Sequence, residues 1–114
     1  MKILLVEDEW LLAADATDRL EDAGYRVVGP FGAVSDALRE LERELPDAAI
    51  LDIQLVSETS FPIARRLIDR GVPFFFLSGH SKADYAAELG DATVLPKPPN
   101  WGQVLRLLEQ KLVT

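Results

Sequence analysis

The chain contains no cysteine. Neither disulfides nor thiolate metal sites therefore hold it together. No apolar run approaches the roughly 18 residues of a membrane span. The N-terminus lacks a basic stretch leading into an apolar signal region and cleavage site, so nothing points to export. A cytoplasmic protein with no membrane partner is the simplest reading. Basic residues are in deficit: 12 Lys and Arg stand against 19 Asp and Glu, a formal charge of −7. A nucleic-acid binder normally displays a basic face, so that class is disfavoured. What is present is a core: 48% of the 114 residues are apolar, enough for one compact domain and too few for two. The last predicted helix lies close to the end of the sequence, and no output domain is expected after it.

Short apolar runs alternate with helical patterns. "KILLV" (2–6) has strand length. "WLLAADATDRLEDAG" (10–24) places Leu12, Ala16 and Leu20 four apart, opposite Asp15, Asp18 and Asp22, with Gly24 as the stop. "YRVVGP" (25–30) is a β-branched strand that Gly-Pro should close with a turn. "AVSDALRELEREL" (33–45) sets Val34, Leu38, Leu41 and Leu45 at helical spacing before Pro46. "AAILDI" (48–53) is apolar apart from one acid. "SFPIARRLIDRG" (60–71) reads as a Ser60 cap, Pro62 in the first turn, an Ile63/Leu67 stripe and a Gly71 terminator. "VPFFFLSG" (72–79) is a buried strand. "SKADYAAELG" (81–90) is a short helix with a small face of Ala83, Ala86, Ala87 and Leu89. "ATVLP" (92–96) is a fifth strand, and "WGQVLRLLEQKL" (101–112) is the last helix, facing inward through Val104, Leu107 and Leu108. No repeat or linker interrupts this order.

Five such units predict an α/β fold with a parallel sheet covered on both faces. Right-handed crossovers leave few topologies. The common small one is the doubly wound, flavodoxin-like (βα)5 fold with strand order 2-1-3-4-5. Ligands of such sheets bind beyond the carboxyl ends of the strands where the order reverses, here between strands 1 and 3.

Those two strands carry the acids. "ILLVEDEW" (3–10) runs from a buried strand into Glu7, Asp8 and Glu9, and strand 3 ends at Asp52. The bland reading of the first cluster is a solvated loop with an acidic helix start, and it serves for Glu9. Glu7, Asp8 and Asp52 converge, and close carboxylates repel more strongly when buried. A hard divalent cation resolves the repulsion, and magnesium suits one or two carboxylates plus a phosphate. Ser78 ends strand 4 and Lys97 follows strand 5 at the same rim. Singly they read as a turn serine and a solvated lysine. Beside the acids they read as partners for phosphoryl oxygens.

On these residues the chain resembles a response-regulator receiver domain over essentially its whole length. "FLSGHS" and "SETSFPIA" also resemble the FAT GUY subgroup, many members of which are single-domain proteins. The resemblance implies two-component signalling: Asp52 accepts a phosphoryl group from a histidine kinase or histidine phosphotransfer protein, and the signal passes to a downstream protein partner. It implies Mg2+ held by Asp8, Asp52 and the Gln54 backbone carbonyl, with Glu7 acting through water. Lys97 would pair with a phosphoryl oxygen, and Ser78 would bond another. Such a domain catalyses only its own phosphorylation and dephosphorylation and is not otherwise an enzyme. Two positions depart from the family pattern. Val94 stands where tyrosine or phenylalanine is common, which puts an aromatic-rotamer switch in doubt, and Pro99 replaces an often aromatic residue. His80, the one histidine, reads as a rim residue tuning dephosphorylation or partner contact. The Lys97–Pro98 bond is a candidate cis peptide.

Three other readings fit parts of the pattern. A magnesium-dependent aspartyl-nucleophile phosphatase of the haloacid dehalogenase type wants a second acid where Gln54 stands. A flavin-binding domain on the same fold would need a phosphate loop where strand 1 runs into acids. A receiver cut from a hybrid kinase or transcription factor would differ only in gene length.

Overall fold

The computed structural model describes residues 1–79 and 82–113, with the backbone alone described at Lys82, Ala83 and Ala86. His80 lies outside the described residues. The elements are β1 (Lys2–Val6), α1 (Trp10–Asp22), β2 (Arg26–Phe31), α2 (Val34–Arg43), β3 (Ala48–Asp52) and α3 (Phe61–Asp69). They continue with β4 (Phe74–Ser78), a 3₁₀ turn (Lys82–Tyr85), α4 (Ala86–Leu89), β5 (Val94–Pro96) and α5 (Trp101–Leu112). All sheet pairings are parallel, and the order is β2-β1-β3-β4-β5. The expected flavodoxin-like topology is therefore present.

Side chains alternate across a strand, and this sheet is apolar on both faces. Leu4, Val6, Ala49, Leu51 and Phe76 pack with α2 and α3 through Ala37, Leu41, Ile63 and Leu67. Ile3, Leu5, Ala48, Ile50, Phe75 and Leu77 pack with α1 and α5 through Ala16, Leu20, Val104 and Leu108. Phe75 and Phe76 are neighbours in sequence, lie on opposite faces and are both fully buried. Each such side chain contributes about 1.5–3 kcal/mol of transfer free energy. The double-sided core leaves only the strand ends for polar chemistry.

Four local expectations change. The Gly29–Pro30 pair does not close β2. The strand runs through it to Phe31, and the pairing with β1 slips between Leu4↔Val28 and Val6↔Phe31. β2 is an edge strand, where a bulge tolerates proline. The bulge sets the Phe31 carbonyl to accept the Glu7 N–H at 2.9 Å. Secondly, α2 stops at Arg43 and Glu44 is extended, so Leu45 leaves the apolar stripe and is exposed. Pro46 disfavours helical backbone in the residue before it. Thirdly, Ser60 occupies the cap position of α3, yet its hydroxyl makes no cap bond. Its φ/ψ of −84°/5° departs from the extended geometry from which a cap hydroxyl reaches back. Its carbonyl accepts from Ile63 and Ala64 instead. Fourthly, the helix expected over 81–90 divides into the 3₁₀ turn and the four-residue α4, with Leu89 buried and Ala87 exposed.

Gly29 has φ +107°, and a Cβ there would sit 2.8 Å from the Leu5 carbonyl oxygen. Gly24 has φ +95° with nothing within 4 Å of the added carbon. Gly29→Ala should therefore cost about 3 kcal/mol of unfolding free energy, against about 1 for Gly24→Ala. Urea denaturation of both variants checks this, and equal small losses would contradict the bulge assignment.

Candidate functional site

Parallel strands bring their carboxyl ends to one edge. Val6 pairs with Leu51, so Glu7 leaves β1 beside Asp52, the last residue of β3. Asp52 pairs with Leu77, and the next residue, Ser78, pairs with Pro96. The Lys97 N–H then donates to the Ser78 carbonyl at 2.9 Å, which fixes where the lysine leaves β5. The Lys97–Pro98 bond is cis.

The acids meet as the topology requires. One carboxylate oxygen each from Glu7, Asp8 and Asp52 lies within 4.8 Å of the others. Glu7 and Asp52 are buried, at 7% and 8% exposure, and Asp8 is half-buried. The Lys97 ammonium reaches into the group, 2.7 Å from Glu7 Oε1 and 3.1 Å from Asp52 Oδ2. The other Glu7 oxygen accepts the Glu9 backbone N–H at 3.1 Å. Glu9 is the residue before α1 and makes no side-chain cap. Ser78 is 3% exposed at the end of β4. Gln54 lies two residues beyond Asp52 on the β3–α3 loop and is exposed. Trp10 opens α1 at the rim and is 75% exposed, whereas Trp101 opens α5 half-buried against the core.

Electrostatics follow from this packing. Burial drives the Asp52 carboxyl upward, Lys97 opposes and Glu7 assists, leaving it at about 6 against an ordinary 3.8. An ion-paired carboxylate usually falls rather than rises. Here the single ammonium sits closer to Glu7 than to Asp52 and is shared between them. Burial works to lower Lys97, but the Glu7 hydrogen bond and the Asp52 and Glu7 charges outweigh it and hold the ammonium above its ordinary value. With all groups ionised, three carboxylates and one ammonium leave two formal negative charges. Hard oxygen donors with that excess suit a small divalent cation.

Two residues beyond those read from the sequence organise this edge. The Glu58 carboxylate, on the β3–α3 loop, accepts the N–H of Val34, the first residue of α2, at 3.1 Å. The Tyr85 hydroxyl donates to Gln54 Oε1 at 3.1 Å. Neither link has a periodic signature. A single aromatic among the small residues of "SKADYAAEL" is the one hint the sequence offered.

The response regulator receiver domain profile matches residues 3–109. The chain belongs to the response regulator receiver domain family. The BeF3-activated conformation of SdrG from Pseudomonas melonis Fr1 superimposes with TM-score 0.81 at 39% identity, covering 98% of this chain and 96% of that one. A receiver protein from Sinorhizobium medicae WSM419 gives TM-score 0.85 at 29% identity over 98% and 94%. The sensory transduction protein BceR of Bacillus subtilis (strain 168) is 35% identical over 101 residues, which is 85% of this chain and 43% of that protein. The corresponding protein LytT of Bacillus anthracis is 38% identical over 68 residues, 59% of this chain and 28% of that protein. The chain thus spans less than half of the curated relatives it matches. Receivers are signalling modules of two-component systems, and they bind Mg2+ at an acidic pocket such as this cluster. No helix among the described residues is long and apolar enough to cross a membrane.

The raised Asp52 pKa makes a signed prediction for this receiver. The unfolded carboxyl ionises near 3.8 and the folded one near 6. Ionisation therefore opposes folding; the cost is absent below the lower value and complete above the higher. In chelator near pH 8, Asp52→Asn should raise the unfolding free energy by roughly 2 kcal/mol, and near pH 4 by little. Urea denaturation at both pH values checks it. Destabilisation near pH 8 would contradict the charge balance described.

Proposed function

We propose that this receiver accepts a phosphoryl group on Asp52 from a phosphohistidine donor, in a Mg2+-dependent reaction, and signals through protein contacts. The observation that carries the reading is the Lys97 ammonium set between the Glu7 and Asp52 carboxylates, with Asp8 completing the acid group. One carboxylate in such a group is a nucleophile. Phosphoryl transfer asks the protein for alignment and charge neutralisation more than for covalent help.

The roles divide as follows. The Asp52 oxygen attacks phosphorus, the P–N bond to the donor imidazole breaks, and its electron pair leaves with the ring nitrogen. As the acyl phosphate forms, the negative charge of the site moves from the carboxylate to the phosphoryl oxygens and increases. Lys97, 3.1 Å from Asp52, exchanges that contact for a phosphoryl oxygen while keeping Glu7. Ser78, at the end of the adjacent strand, bonds a second oxygen. Asp8, Asp52 and the Gln54 carbonyl would hold Mg2+, with Glu7 through water, and the bound ion would supply the remaining charge neutralisation at the phosphoryl group. Exposed Trp10 and Val56, at 75% and 87% exposure on the same rim, offer the donor an apolar footing.

The stand-alone reading, in the FAT GUY subgroup, draws support from SdrG proteins matched over 96% and 97% of their own length. The alternative, a receiver from a longer hybrid kinase or transcription factor, draws support from curated relatives of which the chain spans only 28–43%. The length of the native gene decides between them. The phosphatase reading keeps Gln54 against it, since that position is not an acid.

Acetyl phosphate or a phosphorylated histidine kinase should label the wild type in the presence of Mg2+ with an acid-labile group. Asp52→Asn should abolish the label and Lys97→Ala should reduce it by at least tenfold, about the loss of one buried charge-assisted bond. Undiminished labelling of Asp52→Asn would refute the assignment. Steady turnover of phosphate esters would favour the phosphatase.

A further inference from the structure

The β3–α3 loop (residues 53–60) is tied down on every side. Gln54 and Thr59 form an antiparallel bridge across it. The Leu55 N–H donates to the Glu58 carbonyl at 2.8 Å, and the Ser60 N–H to that of Ile53 at 2.9 Å. The Glu58 carboxylate fastens the loop to the start of α2. The Gln54 amide completes the set: its Nε2 donates to the carbonyls of Leu55 at 2.9 Å and Glu58 at 3.3 Å, and its Oε1 accepts the Tyr85 hydroxyl.

Tyr85 is held by its ring as well as by its hydroxyl. The ring meets Phe61, the first residue of α3, edge-on at 5.7 Å, and Phe61 meets Phe76 of β4 at 5.8 Å. Tyr85 thus joins the loop beside Asp52 to the 3₁₀ turn that leads directly into α4. α4 has four residues, far fewer than the roughly 12–15 at which an isolated helix is even marginal. Tertiary contacts such as this one must hold it.

We infer that Tyr85 is a positioning residue for the acid site: its hydroxyl fixes the Gln54 side chain, and with it the loop that presents the Gln54 carbonyl, so that cation binding and the order of α4 are coupled. The inference rests on the reading of the acids and Gln54 as a magnesium site. Coupling of this kind is reciprocal. A tyrosine that favours the cation-binding loop makes the cation favour docked Tyr85, and docked Tyr85 restrains the residues that follow it.

The test uses the full chain and Mg2+ alone. Trp10 fluorescence follows binding, and hydrogen exchange follows the amides of Ala87 to Leu89 with and without saturating Mg2+. Wild type should bind and gain protection in α4. Tyr85→Phe keeps the ring and loses the hydroxyl; it should bind roughly fivefold more weakly, about one hydrogen bond, and show no gain when saturated. Gln54→Ala keeps the carbonyl, and its effect should not add to that of Tyr85→Phe. A Tyr85→Phe protein matching wild type in affinity and in gained protection would overturn the inference alone, as would additive losses. A wild type that does not respond to Mg2+ would instead remove the metal-site reading, and the inference with it.

Discussion

Everything at the functional edge depends on the mutual repulsion of three close carboxylates, two of them buried. Glu7, Asp8 and Asp52 bring three like charges together, and burial of two of them strengthens the repulsion. Lys97 supplies one positive charge and divides it between Glu7 and Asp52. Burial is the largest cause that lifts Asp52 to about 6; the Lys97 charge opposes it and Glu7 adds to it. An excess of negative charge on hard oxygen donors is what a small divalent cation would answer, as the proposed function requires. Stability and chemistry draw on one electrostatic imbalance, so substitutions at Asp52 should move them in opposite directions.

The rest of the fold serves to hold that imbalance in place. A sheet packed on both faces fixes strand register tightly, because a one-residue slip would turn a buried face outward. Register in turn sets Glu7 beside Asp52 and brings the chain after β5 past Ser78. The Gly29–Pro30 bulge adds a local adjustment, since it delivers the Phe31 carbonyl that holds the Glu7 backbone. An edge-strand bulge thus fixes the backbone from which Glu7 projects. The β3–α3 loop is secured by Glu58 on one side and Tyr85 on the other, so the segment after Asp52 is framed by two helices and the 3₁₀ turn.

The topology and the meeting of the acids were legible in the sequence because both rest on patterns. Strand-length apolar runs alternating with helical stripes leave few arrangements, and in a parallel sheet the residues that follow each strand share one edge. What escaped was contact without pattern. Gly-Pro reads as a turn, and only the pairing of β2 with β1 shows that the strand continues through it. Leu45 obeys the spacing of α2, yet the approach of Pro46 ends the helix first. Ser60 has the residue type of a capping side chain without the backbone angles. Glu58 and Tyr85 act across 24 and 31 residues through single hydrogen bonds. The sequence showed the acids as a group; it did not show that Lys97 would divide itself between two of them.

In the proposed reaction the Asp52 carboxylate, and neither Glu7 nor Asp8, accepts the phosphoryl group. The most direct measurement is chemical mapping of the labelled residue. The full chain is incubated with acetyl phosphate and Mg2+, the acyl phosphate is reduced with borohydride, and the product is sequenced by mass spectrometry. Conversion of residue 52 alone to homoserine, lost when Mg2+ is replaced by chelator, is the predicted result. Conversion of Glu7 or Asp8 instead, a phosphoryl group retained on His80, or no Mg2+-dependent modification at all would contradict it.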